Sequence, residues 1–588
     1  MSMNKNIARL AVTAGLTAAL SFGGVMAPVT MAFADGVPTV ATEKGKVFIT
    51  DPDTEYTHTS FKGIQIFKAT VTQNKEGNTW SGDKTLSDID WASPKVQDVV
   101  IGAFTSTDGT RVDGAPRTDT SAQAWAKYIN DHAGNKVGQT AKVDTDSTLD
   151  KIAAALEDSN LTWTKPSGSN KSNFESLDQG YWLFVTDAPS KTGNTDVYTS
   201  PIFTIVGGSD VNVAPKKSVP NVTKAVKDDN NGSFVTDESK NVFEAPNRVA
   251  DSASDQLIEY QLAGTVASNI NTYKEYSYTF TDVLPSTMVP ELNGNDPVVE
   301  VKIGDQVVHP SSYNKSYVDG KLEVSFSNLK NAHAKNEDGT EGAIINVDGN
   351  SKVYVNYKAK LNPTQIKADM LGKGQKNTVT LTYSNNPHST TETGTTVVHP
   401  AYDYTYGIDV TKVGDEESPK KLSGVVFKLQ EKNGGTVEDK YIDANGVKRA
   451  NAEDAKLTTT EDGKISVIGL DEGTYVLTEV TPAPGYDNSH GNKGITFTIA
   501  RGTLSESDAT VVNPAVTVTD GDNTGLVEAD NSTGGMVHLT VTDKKGSGLP
   551  LTGLNGVTFT WIAGGAVLVI GVAHLIRSRK QAEESEQE

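Results

Sequence analysis

Short runs of β-branched and aromatic residues, cut apart by glycine, asparagine and aspartate, recur along this chain. Val47-Phe48-Ile49-Thr50, Ile202-Phe203-Thr204-Ile205-Val206, Val353-Tyr354-Val355-Asn356-Tyr357 and Thr378-Val379-Thr380-Leu381-Thr382-Tyr383 are the clearest. Such side chains suit the pleated surface of a sheet, and Gly, Asn and Asp turn the chain between strands. Val537-His538-Leu539-Thr540-Val541 alternates apolar and polar residues, the period of a strand with one buried face. A chain of this kind is expected to be all-β, built of tandem immunoglobulin-like sandwiches. Helix signals are few. The clearest is 147–157, where Thr148 precedes Leu149, Ile152, Ala153 and Leu156 on one face. It is expected to decorate the first domain.

The length of 588 residues allows about three or four domains once both ends are set aside. Two proline-containing breaks, Ala214-Pro215-Lys216-Lys217-Ser218-Val219-Pro220 and His399-Pro400-Ala401-Tyr402, divide the rest into 35–214, 221–399 and 404–545. Each piece has the size of a single domain. Gly546-Ser547-Gly548 then makes a short flexible link. The net charge of -21 excludes a nucleic-acid partner, because binding phosphate needs a basic surface. There is no cysteine, so disulfides, a thiol nucleophile and a thiolate metal site are all excluded. No metal and no cofactor are expected. Any covalent reinforcement has to come from other side chains.

Both ends carry targeting features. Lys5 and Arg9 precede an apolar, Ala-rich run over 10–26, and Ala32-Phe33-Ala34 offers small residues in an A-x-A pattern. Segment 1–34 therefore reads as a secretory signal peptide cleaved after Ala34. At the other end stand Leu549-Pro550-Leu551-Thr552-Gly553, an apolar stretch over 557–576, then Arg577, Arg579 and Lys580. About 20 apolar residues cross a bilayer as a helix, and the basic cluster stays on the cytoplasmic side. An ordinary membrane anchor would need only the helix. Motif, helix and basic tail in this order resemble the cell-wall sorting signal of Gram-positive surface proteins, the LPXTG pattern that sortase cuts between Thr and Gly. The resemblance assigns 549–588 to that signal.

The third unit opens on Ile408-Asp409-Val410-Thr411-Lys412-Val413 and closes on Leu539-Thr540-Val541-Thr542-Asp543-Lys544. Between them lies Tyr475-Val476-Leu477-Thr478-Glu479-Val480-Thr481-Pro482-Ala483-Pro484-Gly485-Tyr486. This stretch resembles the E-box of collagen-adhesin B-type domains, in which Tyr-x-Leu-x-Glu is followed by Pro-x-Gly-Tyr. The resemblance implies an isopeptide bond from Lys412 to Asp543, promoted by Glu479. The chemistry is consistent. Burial favours the neutral, nucleophilic form of a lysine and the protonated form of a glutamic acid, and contact supplies a large effective molarity. The family usually has Asn where this chain has Asp543, so the group released is water rather than ammonia. Without the bond, the same residues would make a buried Lys412–Glu479 ion pair, which is costly.

In the middle unit, Val219-Pro220-Asn221-Val222-Thr223-Lys224-Ala225-Val226 is a first strand. Tyr278-Thr279-Phe280-Thr281-Asp282-Val283-Leu284-Pro285 comes later, and Lys376-Asn377-Thr378-Val379-Thr380-Leu381-Thr382-Tyr383 is expected to be the last strand. The unit resembles the isopeptide-forming second domain of backbone pilins, which implies a Lys224–Asn377 bond with Asp282 as the acid. Asn385 is a rival partner in the same region, and Asp282 also fits a plain strand-end aspartate. Asp210-Val211-Asn212-Val213-Ala214-Pro215-Lys216-Lys217 resembles the pilin motif, Val-x-Val-Tyr-Pro-Lys, with Ala214 in place of Tyr. That implies Lys216 as the amine accepting the next subunit, with Lys217 beside it. Taken alone, the pair also reads as solvated linker residues. In the first unit, Lys62-Gly63-Ile64-Gln65-Ile66-Phe67 and Gly180-Tyr181-Trp182-Leu183-Phe184-Val185 read as strands, with Asp187 following. No lysine–acid–asparagine set is assigned there.

Over nearly its whole length the chain is similar to the sortase-assembled major pilins of Gram-positive bacteria. The resemblance implies a secreted, wall-anchored shaft subunit rather than an enzyme. A pilus-class sortase would cut at Thr552, and Lys216 of another copy would resolve the acyl-enzyme. One donor end and one acceptor per copy generate an open head-to-tail filament. Peptidoglycan would receive the finished fibre. Tip or basal pilins and ligands on host or bacterial surfaces are further partners in that family. Two alternatives stand beside it. One is a monomeric wall-anchored adhesin with stalk-like sandwiches. The other is a wall-anchored glycosidase using paired carboxylates, although the 9 histidines form no H-E-x-x-H and no serine lies in G-x-S-x-G.

Overall fold

The computed structural model describes residues 36–50, 57–112, 114–133, 143, 145–214, 219–229, 232–487, 491–519 and 525–546. The signal segment 1–34, Lys216 and Lys217, and the sorting segment 549–588 lie outside the described residues. Among the described residues no helix is long and apolar enough to cross a membrane.

The first unit is organised by one long strand, Ser60–Glu76, onto which Thr79–Trp91 folds back as a hairpin. Gly77 makes that turn with φ 58°, a conformation that costs glycine little. Along its other edge the long strand pairs with Gly180–Ala188 and then with Val37–Val40. Gly180–Ala188 is buried on both faces. Tyr181, Leu183 and Val185 face three helices, while Trp182 and Phe184 face a small sheet of Asn173–Leu177, Gly45–Ile49 and Val211–Val213. The helices are Pro94–Gly102, Ala122–His132 and Thr148–Glu157, and Ser93, Ser121 and Ser147 cap them by accepting backbone N–H groups. The sequence pattern indicates only the third. In the first two, apolar stripes as brief as Val96/Val100 or Trp125/Ile129 do not separate a helix from a buried strand by period.

The middle unit is a sandwich of two sheets. One runs Val222–Lys227, Ile258–Thr265, Lys352–Leu361, Val299–Ile303. The other runs Val249–Asp251, His399–Tyr404, Gln375–Ser384, Tyr278–Val283, Lys321–Phe326, Asn314–Val318. Gln375–Ser384, expected to close this unit, is followed by Thr393–Thr395 and His399–Tyr404, which both pair with it. The break read from Pro400 therefore lies inside a strand. The Tyr402 N–H donates to Arg248 O on the Val249–Asp251 side, so Pro400, two residues earlier, presents its missing N–H to the same side. That neighbour's pairing starts only at Tyr402, so the missing donor empties no rung.

The third unit begins at Tyr406–Gly414, one residue beyond the middle unit's last strand. This first strand lies beside the last, Met536–Lys545, and the two run parallel with Lys412 opposite Val541 and Gly414 opposite Asp543. The facing sheet holds Val426–Asn433, Gly473–Thr481, Ile495–Ala500 and Ala515–Thr519. Neighbouring units interlock. Thr195 N–H donates to Thr395 O at 2.9 Å and Tyr198 N–H to Asn385 O at 2.7 Å, and Val197 enters the middle core. Between the middle and third units, Ser254 N–H donates to Gly469 O at 2.9 Å, and Arg501 Nη2 lies 2.6 Å from Asp228 Oδ2.

Candidate functional site

Among the described residues, two lysines are fully buried, Lys224 and Lys412. An ammonium taken out of water costs several kcal/mol unless partners offset it. Both lysines lie where the sandwich topology brings carboxyl and amide groups to them.

In the middle unit, Val222–Lys227 is an edge strand and points Lys224 across the sandwich. Asp282 and Asn377 sit on adjacent strands of the opposite sheet, where Asp282 is opposite Val379, the residue two beyond Asn377 on the same face. All three side chains are buried completely. Lys224 Nζ is in hydrogen-bond contact with Asp282 Oδ2 and lies 2.9 Å from Tyr357 Oη. Tyr357 donates to Asp282 Oδ2 at 3.0 Å and accepts from Asn377 Nδ2 at 2.9 Å. The Tyr260 and Tyr357 rings stack 5.3 Å apart and both stand beside the amine. Burial pulls the Lys224 amine down to about 8, although Asp282 works against the shift. Burial likewise raises the Asp282 carboxyl above its ordinary range, against the pull of Lys224. The two shifts converge, which makes a neutral amine beside a neutral acid accessible. Asp282 Oδ1 and Asn377 Oδ1 are buried without a partner. A proton on Asp282 Oδ1 would supply the donor that an activated carbonyl needs.

In the third unit, Lys412 Nζ contacts Asp543 Oδ1 and lies 2.9 Å from Glu479 Oε2. Lys412 and Asp543 come from the parallel first and last strands, and Glu479 reaches across from Gly473–Thr481. Burial first, then the charge on Asp543, pushes the Glu479 carboxyl up to about 7 against the pull of Lys412. Burial also raises Asp543. Gly491 allows this packing, because a Cβ there would stand 2.7 Å from Glu479 Oε2.

The structure thus brings Lys224 together with Asp282 and, through Tyr357, with Asn377. It brings Lys412 together with Glu479 and Asp543. Asn385 is elsewhere, at the joint with the first unit, where its Nδ2 donates to Asp196 O at 3.5 Å. Asp187 pairs with Lys165 at 2.5 Å on the surface of the first unit. Lys216, Leu549, Pro550, Leu551, Thr552 and Gly553 lie outside the described residues. Among the described residues no His, Asp and Glu side chains are grouped to hold a metal ion. Tyr357 went unassigned in the sequence, although Val353, Val355 and Tyr357 alternate inward and a hydroxyl on that face has to find a partner. A second group also went unread: Asp228 and Asp251 pair with Arg501 at the joint of the middle and third units, and Asp403 and Asp471 are buried beside Asp251.

Residues 407–514 match the model of the SpaA family, described as a prealbumin-like fold domain. The matched span contains Lys412 and Glu479 and ends before Asp543. No curated protein matches the sequence. Several solved major pilins are similar to the chain. The full-length major pilin SpaD of Corynebacterium diphtheriae is 16% identical with TM-score 0.44, covering 85% of this chain and 98% of that one. The T6 backbone pilin of Streptococcus pyogenes is 13% identical with TM-score 0.48, covering 86% and 100%. The major pilin RrgB of Streptococcus pneumoniae is 13% identical with TM-score 0.38, covering 72% and 97%.

Proposed function

We propose that this chain is the structural shaft subunit of a covalently polymerised surface pilus. Sortase joins Thr552 of one subunit to Lys216 of the next, and intramolecular isopeptide bonds Lys412–Asp543 and Lys224–Asn377 reinforce each subunit. The observation that carries the reading is the burial of two lysines, one in each of the two units nearest the sorting motif, both against acids raised by burial.

The third-unit reaction needs no cofactor. A carboxylate takes one proton from the Lys412 ammonium, and the neutral amine attacks Asp543 Cγ. Glu479 then protonates the departing hydroxyl, which leaves as water, and takes back the surplus proton from the newly bonded Lys412 nitrogen, so that one amide and one water are formed. In the middle unit Asp282 protonates the Asn377 carbonyl and ammonia departs.

The positions of the bonds suit a fibre under tension. Force enters the third unit at Tyr406 and leaves beyond Lys545. Those points are the N-terminal end of one strand and the C-terminal end of its parallel neighbour. Without a bond, the rungs between the two strands are loaded in shear. With it, force passes from Lys412 directly to Asp543, and residues 413–542 leave the load path. The Lys224–Asn377 bond does the same for residues 225–376. In a chain with no cysteine, this replaces the disulfide that an exported protein would otherwise use.

In this reading the signal segment exports the chain, and 557–576 holds it at the membrane until sortase cuts. Peptidoglycan receives the completed fibre. The experiment is an immunoblot of wall extracts separated under denaturing conditions. Wild type should give a ladder of high-mass species, and Lys216→Ala should give only monomer. A wild type without a ladder would favour a monomeric adhesin, and a ladder that survives Lys216→Ala would remove Lys216 as the acceptor.

A further inference from the structure

We propose that the Tyr357 hydroxyl is a catalytic group in the middle-unit cross-link, carrying a proton from the attacking Lys224 amine to the departing Asn377 nitrogen. The inference rests on the reading that Lys224 and Asn377 condense. The phenol oxygen is within hydrogen-bond distance of both nitrogens between which the proton must pass, and of the acid. It stands 2.9 Å from Lys224 Nζ, 2.9 Å from Asn377 Nδ2 and 3.0 Å from Asp282 Oδ2.

The condensation has a proton problem that this position solves. After Nζ attacks Asn377 Cγ, the new nitrogen carries a surplus proton, while the old amide nitrogen must gain one before it can leave. In an open site water would move that proton. Here Lys224, Asp282 and Asn377 are all fully buried beneath stacked tyrosine rings. Burial holds the Tyr357 hydroxyl far above its ordinary value, so it remains neutral and acts as a relay rather than a base. An Nζ–H bond breaks and its proton passes to Oη. The original Oη–H bond breaks and its proton passes to Nδ2. The Cγ–Nδ2 electron pair then leaves with ammonia, and the carbonyl returns its borrowed proton to Asp282. The products are one secondary amide and one ammonia, with Tyr357 unchanged.

The third unit supports the assignment by contrast. There the ring beside the amine is Phe427, 5.8 Å from Lys412 Nζ, which has no hydroxyl to offer. The group leaving Asp543 is a hydroxyl, and Glu479 can protonate it directly. The tyrosine accompanies the leaving group that is harder to expel.

The test follows the cross-linked peptide joining Lys224 and Asn377 by mass spectrometry at intervals after a short pulse of synthesis of the full chain. Tyr357→Phe is expected to slow its appearance roughly 100-fold, the weight of one general acid–base group. The double variant Tyr357→Phe with Asn377→Asp should recover the bond, because a carboxyl releases water and needs no relay. A tyrosine that only packs the core would not be rescued by a change of leaving group. Bond formation at the wild-type rate in Tyr357→Phe would overturn the inference and leave the cross-link intact, and so would failure of the double variant to recover it. Absence of the bond in wild type would overturn the cross-link reading itself, and this inference with it.

Discussion

Replacing Glu479 with glutamine separates a covalent link from an ordinary buried ion pair. The side chain keeps its shape, Lys412 keeps Asp543 as a partner, and only the acid is lost. If Glu479 promotes the bond, the variant should fold with Lys412 and Asp543 unjoined. The loop that the bond closes runs from 412 to 543. Chain-entropy arithmetic for a loop of that length gives about 5 kcal/mol of stabilisation. For a domain of this size that corresponds to a drop in melting temperature of about 10–20 °C. The assay is intact mass together with calorimetry on the purified ectodomain. Wild type should fall about 35 Da below its sequence mass, the sum of one ammonia and one water, and Glu479→Gln about 17 Da below its own. The third unit's transition alone should move. A variant that still loses water, or that melts at the wild-type temperature, would refute the role given to Glu479.

Asn377→Ala should abolish the middle-unit bond and restore the mass of the lost ammonia, while Asn385→Ala should leave the bond in place; a peptide map distinguishes them. Gly491→Ala forces a methyl group to 2.7 Å from Glu479 Oε2 and should leave part of the third-unit population unbonded, read as a second peak in the intact mass. The joint between the middle and third units should respond to pH. Burial pushes Asp251 up to about 7 and raises Asp403 and Asp471 well above the ordinary range. Carboxyls raised in the folded state favour it fully below their unfolded values of about 4, and that contribution is lost as pH rises through the folded values. The joint is therefore tightest in mild acid. Proteolysis near Thr405 should accelerate from about pH 5 to 8, a trend that Asp403→Asn should flatten.

The β-sandwich character of the chain was legible because period-two burial leaves a direct trace, as in Lys352–Leu361. Lys224, Asp282, Lys412, Glu479 and Asp543 were legible as candidates through resemblance, Glu479 lying in a Tyr-x-Leu-x-Glu stretch like an E-box and the others in first, inner and last strands like those of isopeptide-forming pilin domains. The choice between Asn377 and Asn385 needed the register. Asn377 faces the core two residues before the partner of Asp282, whereas Asn385 falls just past the strand, at a joint. Tyr357 was hidden because tyrosine is an ordinary strand residue, and its hydroxyl acquires meaning only when Lys224 and Asn377 converge on it. The acidic cluster around Arg501 was hidden for a related reason. Asp228, Asp251, Asp403 and Asp471 are distant in sequence and meet only where two units dock.

The claim that this chain builds a covalent shaft is tested most directly by digesting surface fibres and sequencing the branched peptides by mass spectrometry. The account predicts a peptide in which the Thr552 carboxyl is joined to the ε-amine of Lys216, with Gly553 and everything after it absent. Finding Thr552 joined only to wall peptide, with every Lys216 amine free, would contradict it.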